Sequence, residues 1–239
     1  MNWLDRTELL IGPKNIEKLK SAHILVVGLG GVGAYAAEML CRAGIGQLTI
    51  VDGDNVELTN INRQLPALHS NLGKRKTSVV AERLKDINPD IELTIIDEYI
   101  RDERMIEILD GNFDYVVDAI DTLAPKTFLI YHSVQKGLKI VSSMGSGGKF
   151  NPELVKSSDI SKSYNCNLAR MLRKRLSKLG IKKGVKVVFS PEEVDEKAIR
   201  LEEGTNKKST VGTISYMAPL FGCHIASVVI RDLVCIEHP

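Results

Sequence analysis

With 239 residues, 44% hydrophobic and 26% charged, the chain has the make-up of an ordinary soluble protein with enough apolar side chains for a sizeable core. Its formal net charge of +2 is too small to argue by itself for a nucleic-acid or membrane partner. Cys41, Cys166, Cys223 and Cys235 are scattered, which excludes a disulfide framework and a C-x-x-C zinc pair; the N-terminus lacks the basic-then-apolar order of a signal peptide, so a cytoplasmic setting is expected.

Apolar runs rich in β-branched residues at 23–27, 48–52, 91–96, 114–118 and 139–143 predict strands. Helical spacing over 32–43 and 74–87 predicts helices between them, the second stopping at Asn88-Pro89. Strand and helix in alternation imply βαβ units, a parallel sheet, right-handed crossovers and a functional edge at the carboxyl ends of the strands. The expected class is α/β, a Rossmann-like, doubly wound, mainly parallel sheet.

After residue 145 the pattern changes. Extended stretches are expected near 146–150, 154–159 and 185–190, and a basic helix over 165–179 with Leu168, Leu172, Leu176 and Leu179 on one side. The charged, turn-rich stretch 191–210 reads as a mobile loop. Residues 213–230 meet a crude length test for a membrane span. Pro219, Gly222 and the Arg231-Asp232 pair that follows favour a buried strand-to-helix element, so no stable membrane insertion is expected. The chain then divides into a nucleotide-binding domain at 1–150 and a C-terminal α+β extension at 151–239, packed on it and carrying the substrate-binding region.

Gly28-Leu29-Gly30-Gly31-Val32-Gly33 lies between a strand and a helix, the context that gives a G-x-G-x-x-G pattern meaning. Glycine allows the tight turn and the close approach of backbone N–H groups to phosphate, and the positive end of the helix favours the anion. Asp52 ends the second strand, where a carboxylate can take both hydroxyls of a ribose. These features fit NAD, FAD and ATP equally.

Arg63 and Lys76 break the tie. A hydride-transfer site has no need of several cations near the phosphates, whereas breaking the α–β bond of ATP builds charge that Arg and Lys stabilise. Asp121, just past the strand ending at Asp118, suits Mg²⁺, which takes one or two protein carboxylates plus phosphate oxygens.

Arg6, the glycine loop, Asp52-x-Asp54, Asn60-x-Asn-Arg63-Gln64, Lys76 and Asp118-x-x-Asp121 together resemble the ubiquitin-activating-enzyme-like adenylyltransferases. The resemblance covers about residues 4–150. It implies that Gly28, Gly30, Gly31, Gly33, Asp52 and Asp54 hold phosphate and ribose, with Asn60, Arg63, Gln64 and Lys76 around the triphosphate and Asp121 on Mg²⁺. It also implies a homodimer in which Arg6 reaches the neighbouring ATP site.

The sulfur-carrier activators of that superfamily carry two C-x-x-C pairs, which this chain lacks. Segments such as Cys166-Asn167-Leu168-Ala169-Arg170 and Ser209-Thr210-Val211-Gly212-Thr213 are instead similar to the tRNA threonylcarbamoyladenosine dehydratases, with Asn167 and Val211 standing where that branch often has proline. This branch implies ATP-dependent activation of a carboxylate on tRNA and ring closure with net loss of water. The alternative is an adenylyltransferase acting on the tail of a ubiquitin-like or sulfur-carrier protein, and a sulfur-transfer or carrier protein is a candidate partner.

A tRNA substrate needs cations, and Arg170, Arg173, Lys174, Arg175, Lys178, Lys182 and Lys183 supply them around the basic helix, with no acidic residue between. A solvated basic face is the plainer reading. At 5% aromatic the chain offers little for base stacking. Cys166, near the start of that helix, is a candidate relay thiol, and Cys223 a second; a buried apolar cysteine is the alternative for each.

Overall fold

The computed structural model describes residues 2–201 and 209–234. Cys235 and the tip of the 191–210 stretch, residues 202–208, lie outside the described residues.

The apolar runs form strands β1 (His23–Val27), β2 (Gln47–Val51), β3 (Glu92–Ile96), β4 (Tyr115–Asp118) and β5 (Ile140–Ser143), all parallel to their neighbours. β7 (Lys186–Phe189) adds in parallel to β5, and β6 (Lys156–Asp159) closes the edge antiparallel to β7. The order of the seven strands is β3-β2-β1-β4-β5-β7-β6. The chain therefore leaves β1 toward one edge, through β2 and β3, and returns through β4 toward the other. That reversal opens a crevice at the carboxyl ends of β1 and β4, where such sheets bind ligands.

Both faces of the sheet are covered, which is why the central strands read as unbroken apolar runs. Along β1 the side chains alternate: Ile24 and Val26 join one buried cluster, Leu25 and Val27 the other. The first cluster packs under α3 (Gly33–Arg42), α4 (Lys76–Ile87) and α8 (Met217–Val234); the second packs under α5 (Asp102–Leu109), α6 (Leu123–Gln135) and α7 (Asn167–Lys178).

α8 is the apolar segment with the length of a membrane span. Its Met217, Phe221, Ile225 and Val229 are fully buried in the first cluster, each such side chain stabilising the fold by about 1.5–3 kcal/mol. At its far end Asp232 accepts hydrogen bonds from Tyr115 Oη at 2.8 Å and Lys186 Nζ at 2.6 Å, pinning the helix to β4 and β7.

Four local expectations are corrected. Residues 146–150 form a turn and not an extended stretch. The 213–230 segment does not begin with a strand: residues 213–216 are an irregular turn leading into α8. Leu179 is exposed at the end of α7, and Ala169 completes the buried row with Leu172 and Leu176. The 191–210 stretch contains the antiparallel pair β8 (Ile199–Leu201) and β9 (Ser209–Val211).

Candidate active site

Gly28 follows β1 with φ +91°, and a Cβ there would lie 2.9 Å from the Ala119 carbonyl oxygen at the end of β4. A Cβ at Gly33 would lie 1.8 Å from the Gly28 carbonyl oxygen. Any side chain at either position must open the turn, so the crevice is walled by bare backbone, with the N-terminus of α3 facing it. Past Gly30 there is room: the nearest atom to its missing Cβ is Gln64 Nε2, at 3.8 Å.

Asp52 leaves β2 beside this turn. Its Oδ2 accepts from the Leu29 N–H at 2.6 Å and its Oδ1 from the Asp54 N–H at 2.7 Å, which ties the glycine loop to the end of β2. Burial pushes the Asp52 carboxyl up, against the pull of Lys76 and of the two N–H donors. Each oxygen keeps a lone pair for a ribose hydroxyl.

Lys76 opens α4 and is buried, with Nζ 2.8 Å from Asp54 Oδ2. Tyr99 Oη donates to the other oxygen of Asp54; that bond, with burial, pushes the Tyr99 hydroxyl up to about 12. The start of α4 is further fixed by Asp97, which accepts from Arg75 Nε at 2.7 Å and Thr77 Oγ1 at 2.7 Å. A buried ammonium thus sits on a fixed helix start, one carboxylate away from Asp52.

The segment bearing Arg63 faces the loop from the other side. A Cβ on Gly31 would lie 3.4 Å from Arg63 Cγ. The Arg63 guanidinium rests on its own turn, donating to the Thr59 carbonyl at 2.9 Å and Asn62 Oδ1 at 2.8 Å. Asn60 is buried and its Oδ1 accepts from the Glu57 N–H at 3.2 Å, so it shapes this turn. Gln64 Oε1 is buried without a hydrogen-bond partner among the described residues. Such an orphan costs about 1–3 kcal/mol unless a ligand pairs it. With the empty space at Gly30, it offers an acceptor that a polar ligand can pair.

Asp121 is exposed on the same edge. Among the described residues no group of three or more His, Cys, Asp or Glu side chains could hold a metal. A single carboxylate beside a phosphate cradle nonetheless suits Mg²⁺, which is held by few protein ligands plus phosphate oxygens.

Sequence reasoning missed what lies beneath. Asp118 and Lys126 are both fully buried, Oδ2 to Nζ 2.6 Å, and Ser142 Oγ donates to the same oxygen at 2.6 Å. Asp118 Oδ1 accepts from the Ile120 N–H at 3.1 Å and so holds the turn that presents Asp121. Lys126 within the mostly apolar stretch 123–134 was the available signal, but only the sheet order sets Ser142 beside Asp118.

The remaining candidates are dispersed. Arg6 is exposed on α1 (Asp5–Ile11), a helix with no buried residue, and makes no hydrogen bond or ion pair among the described residues. Arg170, Lys174, Arg175 and Lys178 are exposed on α7, with Lys182 and Lys183 just beyond it. Arg173 is half-buried and donates to the Ser163 carbonyl at 2.8 Å and to Ser163 Oγ, so it docks α7 onto the body. Cys166 is buried at the N-cap of α7. Burial pushes the Cys223 thiol up, which disfavours the nucleophilic form. Lys149 is buried nearby, donating to the carbonyls of Asn165 and Glu192, and thereby joins the end of β5 to the start of α7.

A bare-backbone cradle at the switch point of a doubly wound sheet, bordered by Asp52, by the buried Lys76 and by the turn that carries Arg63, defines a nucleotide-binding α/β protein. The chain belongs to the ThiF family, whose sequence profile matches residues 4–238. It is 39% identical over 208 residues to the tRNA threonylcarbamoyladenosine dehydratase of Bacillus subtilis (strain 168), covering 87% of this chain and 80% of that protein. Its structure is similar to that of the Escherichia coli tRNA N6-threonylcarbamoyladenosine dehydratase in complex with ATP, with a TM-score of 0.88, 34% identity and coverage of 96% and 93% of the two chains. An adenylyltransferase and sulfurtransferase of Lodderomyces elongisporus is 33% identical over 150 residues, covering 63% of this chain and 33% of its own length.

Proposed function

We propose that this chain is an ATP-dependent tRNA threonylcarbamoyladenosine dehydratase. The carboxylate of threonylcarbamoyladenosine attacks the α-phosphorus of ATP, pyrophosphate leaves, and an acyl-adenylate forms. A nucleophile within the same modification then attacks the activated carbonyl, closes a ring and expels AMP with the former carboxylate oxygen. The net change in the RNA is loss of water. The observation that carries this reading is the cradle of Gly28 and Gly33 flanked by Asp52, Lys76 and Arg63, in a chain that spans most of relatives bearing that activity in their names.

Within the site, the N–H groups of the glycine loop and α3 bind phosphate, and Asp52 takes the ribose hydroxyls. Gln64 supplies its unpaired oxygen to a donor on the nucleotide. Lys76 and Arg63 neutralise the charge that grows as pyrophosphate departs, a class of contact worth about 10²–10³ in kcat. Arg63 swings from its present carbonyl and amide partners to do so, and Asp54 stays as the counter-ion of Lys76. Asp121 would hold Mg²⁺, whose Lewis acidity would draw charge from the phosphates. Ring closure uses a nucleophile of the substrate, so neither Cys166 nor Cys223 is required.

Arg170, Lys174, Arg175, Lys178, Lys182 and Lys183 would take the RNA backbone. Trp3, just before α1, and Leu9 and Leu10 on it are exposed around Arg6, an apolar surface suited to a second copy. This supports a homodimer, with Arg6 serving the neighbouring site. A cytoplasmic setting belongs to the same reading. Activation of a carrier-protein tail is the second reading, favoured only by relatives that share a smaller part of the chain.

The test is turnover. Purified protein with ATP and Mg²⁺ should release AMP and pyrophosphate in proportion to added threonylcarbamoyladenosine-bearing tRNA, and Lys76→Ala should abolish release in a folded protein. Turnover on a carrier tail with no response to that tRNA refutes the reading.

A further inference from the structure

Two exposed aromatic rings meet between the loop that follows β5 and the turn that precedes α8. Phe150 is 68% exposed and Tyr216 39%, their ring centroids 6.0 Å apart and their planes inclined at 67°. Apolar rings left in water in a chain with so few aromatics need a reason, and neither contributes to either buried cluster.

The segment that carries Phe150 is fastened through its backbone. Tyr216 Oη donates to the Phe150 carbonyl at 2.8 Å, which ties the Tyr216 side chain to that segment. The Phe150 and Asn151 N–H groups donate to one oxygen of Glu192 at 2.8 and 2.9 Å, and the Gly148 N–H donates to the Gly212 carbonyl at 2.7 Å. A loop fastened by four hydrogen bonds has already lost the conformational freedom that binding would otherwise cost.

Their place connects the two halves of the proposed site. On one side, Asn62 Nδ2 donates to the Thr213 carbonyl at 2.9 Å, and Ala218 Cβ lies 2.9 Å from where a Cβ on Gly31 would be. Tyr216 lies between these two anchors in the chain. On the other side Lys149, adjacent to Phe150, donates to the Asn165 carbonyl at the start of α7. The rings thus lie on segments tied both to the start of α7 and to the turns around the glycine loop.

We propose that Phe150, braced by Tyr216, is the platform on which the base of the modified adenosine stacks, so that its N6 arm carries the carboxylate into the cradle. The assignment rests on the RNA reading of the function. The chemistry is that of an unpaired base: a flat π-face meets an exposed ring beside a basic track, the usual means of gripping a base taken out of its stack. A stacking contact carries no charge, so it contributes to affinity independently of salt, whereas the α7 cations contribute through the phosphates.

The experiment measures the KM for threonylcarbamoyladenosine-bearing tRNA and inhibition by the free threonylcarbamoyladenosine nucleoside, alongside ATP binding. Phe150→Ala should raise both the KM and the nucleoside inhibition constant by about ten- to a hundred-fold, with ATP affinity and the salt slope of tRNA binding unchanged. Phe150→Trp should restore both, and Phe150→Leu, apolar but without a π-face, should not. A folded Phe150→Ala variant with unmoved KM overturns the proposal, as does full rescue by leucine. So does a change in self-association with nucleoside inhibition intact, which would make the rings a contact between copies. A wild-type protein that ignores both tRNA and nucleoside refutes the dehydratase reading itself, and the platform with it.

Discussion

The ion pair beneath the site offers the sharpest test of how this fold is held. Asp118 and Lys126 have no exposure, and the carboxylate accepts three hydrogen bonds, from Lys126, Ser142 and the Ile120 N–H. Lys126→Met removes the cation and leaves a charge in a dry pocket with two neutral donors. Breaking a buried pair in this way costs about 3–5 kcal/mol. Set against a total stability of about 5–15 kcal/mol, that is a large share of what holds the chain folded. In urea at pH 7, followed by circular dichroism, the midpoint should fall sharply with little change in the m value. At about 2–4 °C per kcal/mol, the melting temperature should drop by roughly 6–20 °C. The double variant Asp118→Asn with Lys126→Met, neutral and of similar volume, should recover much of the loss, since the penalty comes from the stranded charge. Because Asp118 also holds the Ile120 N–H, the folded fraction of Lys126→Met should turn over more slowly through misplacement of Asp121. A single variant within about 1 kcal/mol of wild type, at unchanged m, would refute the reasoning: the charges would then be compensated by something other than each other.

Three further outcomes follow from the geometry. Gly33→Ala places a methyl 1.8 Å from the Gly28 carbonyl oxygen, so the loop must open and ATP-dependent AMP release should be lost; retained ATP affinity by calorimetry would count against the cradle. Replacing Lys174, Arg175 and Lys178 together by glutamine should flatten the dependence of tRNA affinity on salt, by about 0.7–0.9 in the log–log slope for each phosphate no longer engaged, and an unchanged slope would remove α7 from the RNA surface. Arg75 beside Asp97 holds that carboxyl below the usual range, with Thr77 assisting. A depressed carboxylate contributes stability that is present above its unfolded value of about 3.9 and is lost as the pH falls through its lower folded value. Asp97→Asn should therefore lose stability less steeply than wild type below about pH 4 in acid unfolding curves.

Much of this molecule follows from local order in the sequence. Unbroken β-branched runs and helical spacing suffice for the five parallel strands and the helices between them, because strands buried on both faces and amphipathic helices leave distinct periodicities. The glycine loop and Asp52 are legible for the same reason: their chemistry depends on a turn between one strand and the next helix, all within a few residues. Contacts between distant segments are not legible. That Lys126 turns inward to Asp118 depends on β5 bringing Ser142 alongside β4. That Arg173 docks α7 while its neighbours stay in water depends on where Ser163 falls. The apolar 213–230 stretch passes for a membrane span until α3 and the sheet are seen to bury it. The two rings Phe150 and Tyr216 are 66 positions apart in the chain. No periodicity encodes a meeting of that kind; it comes from the hydrogen bonds that join the loop after β5 to the segment before α8.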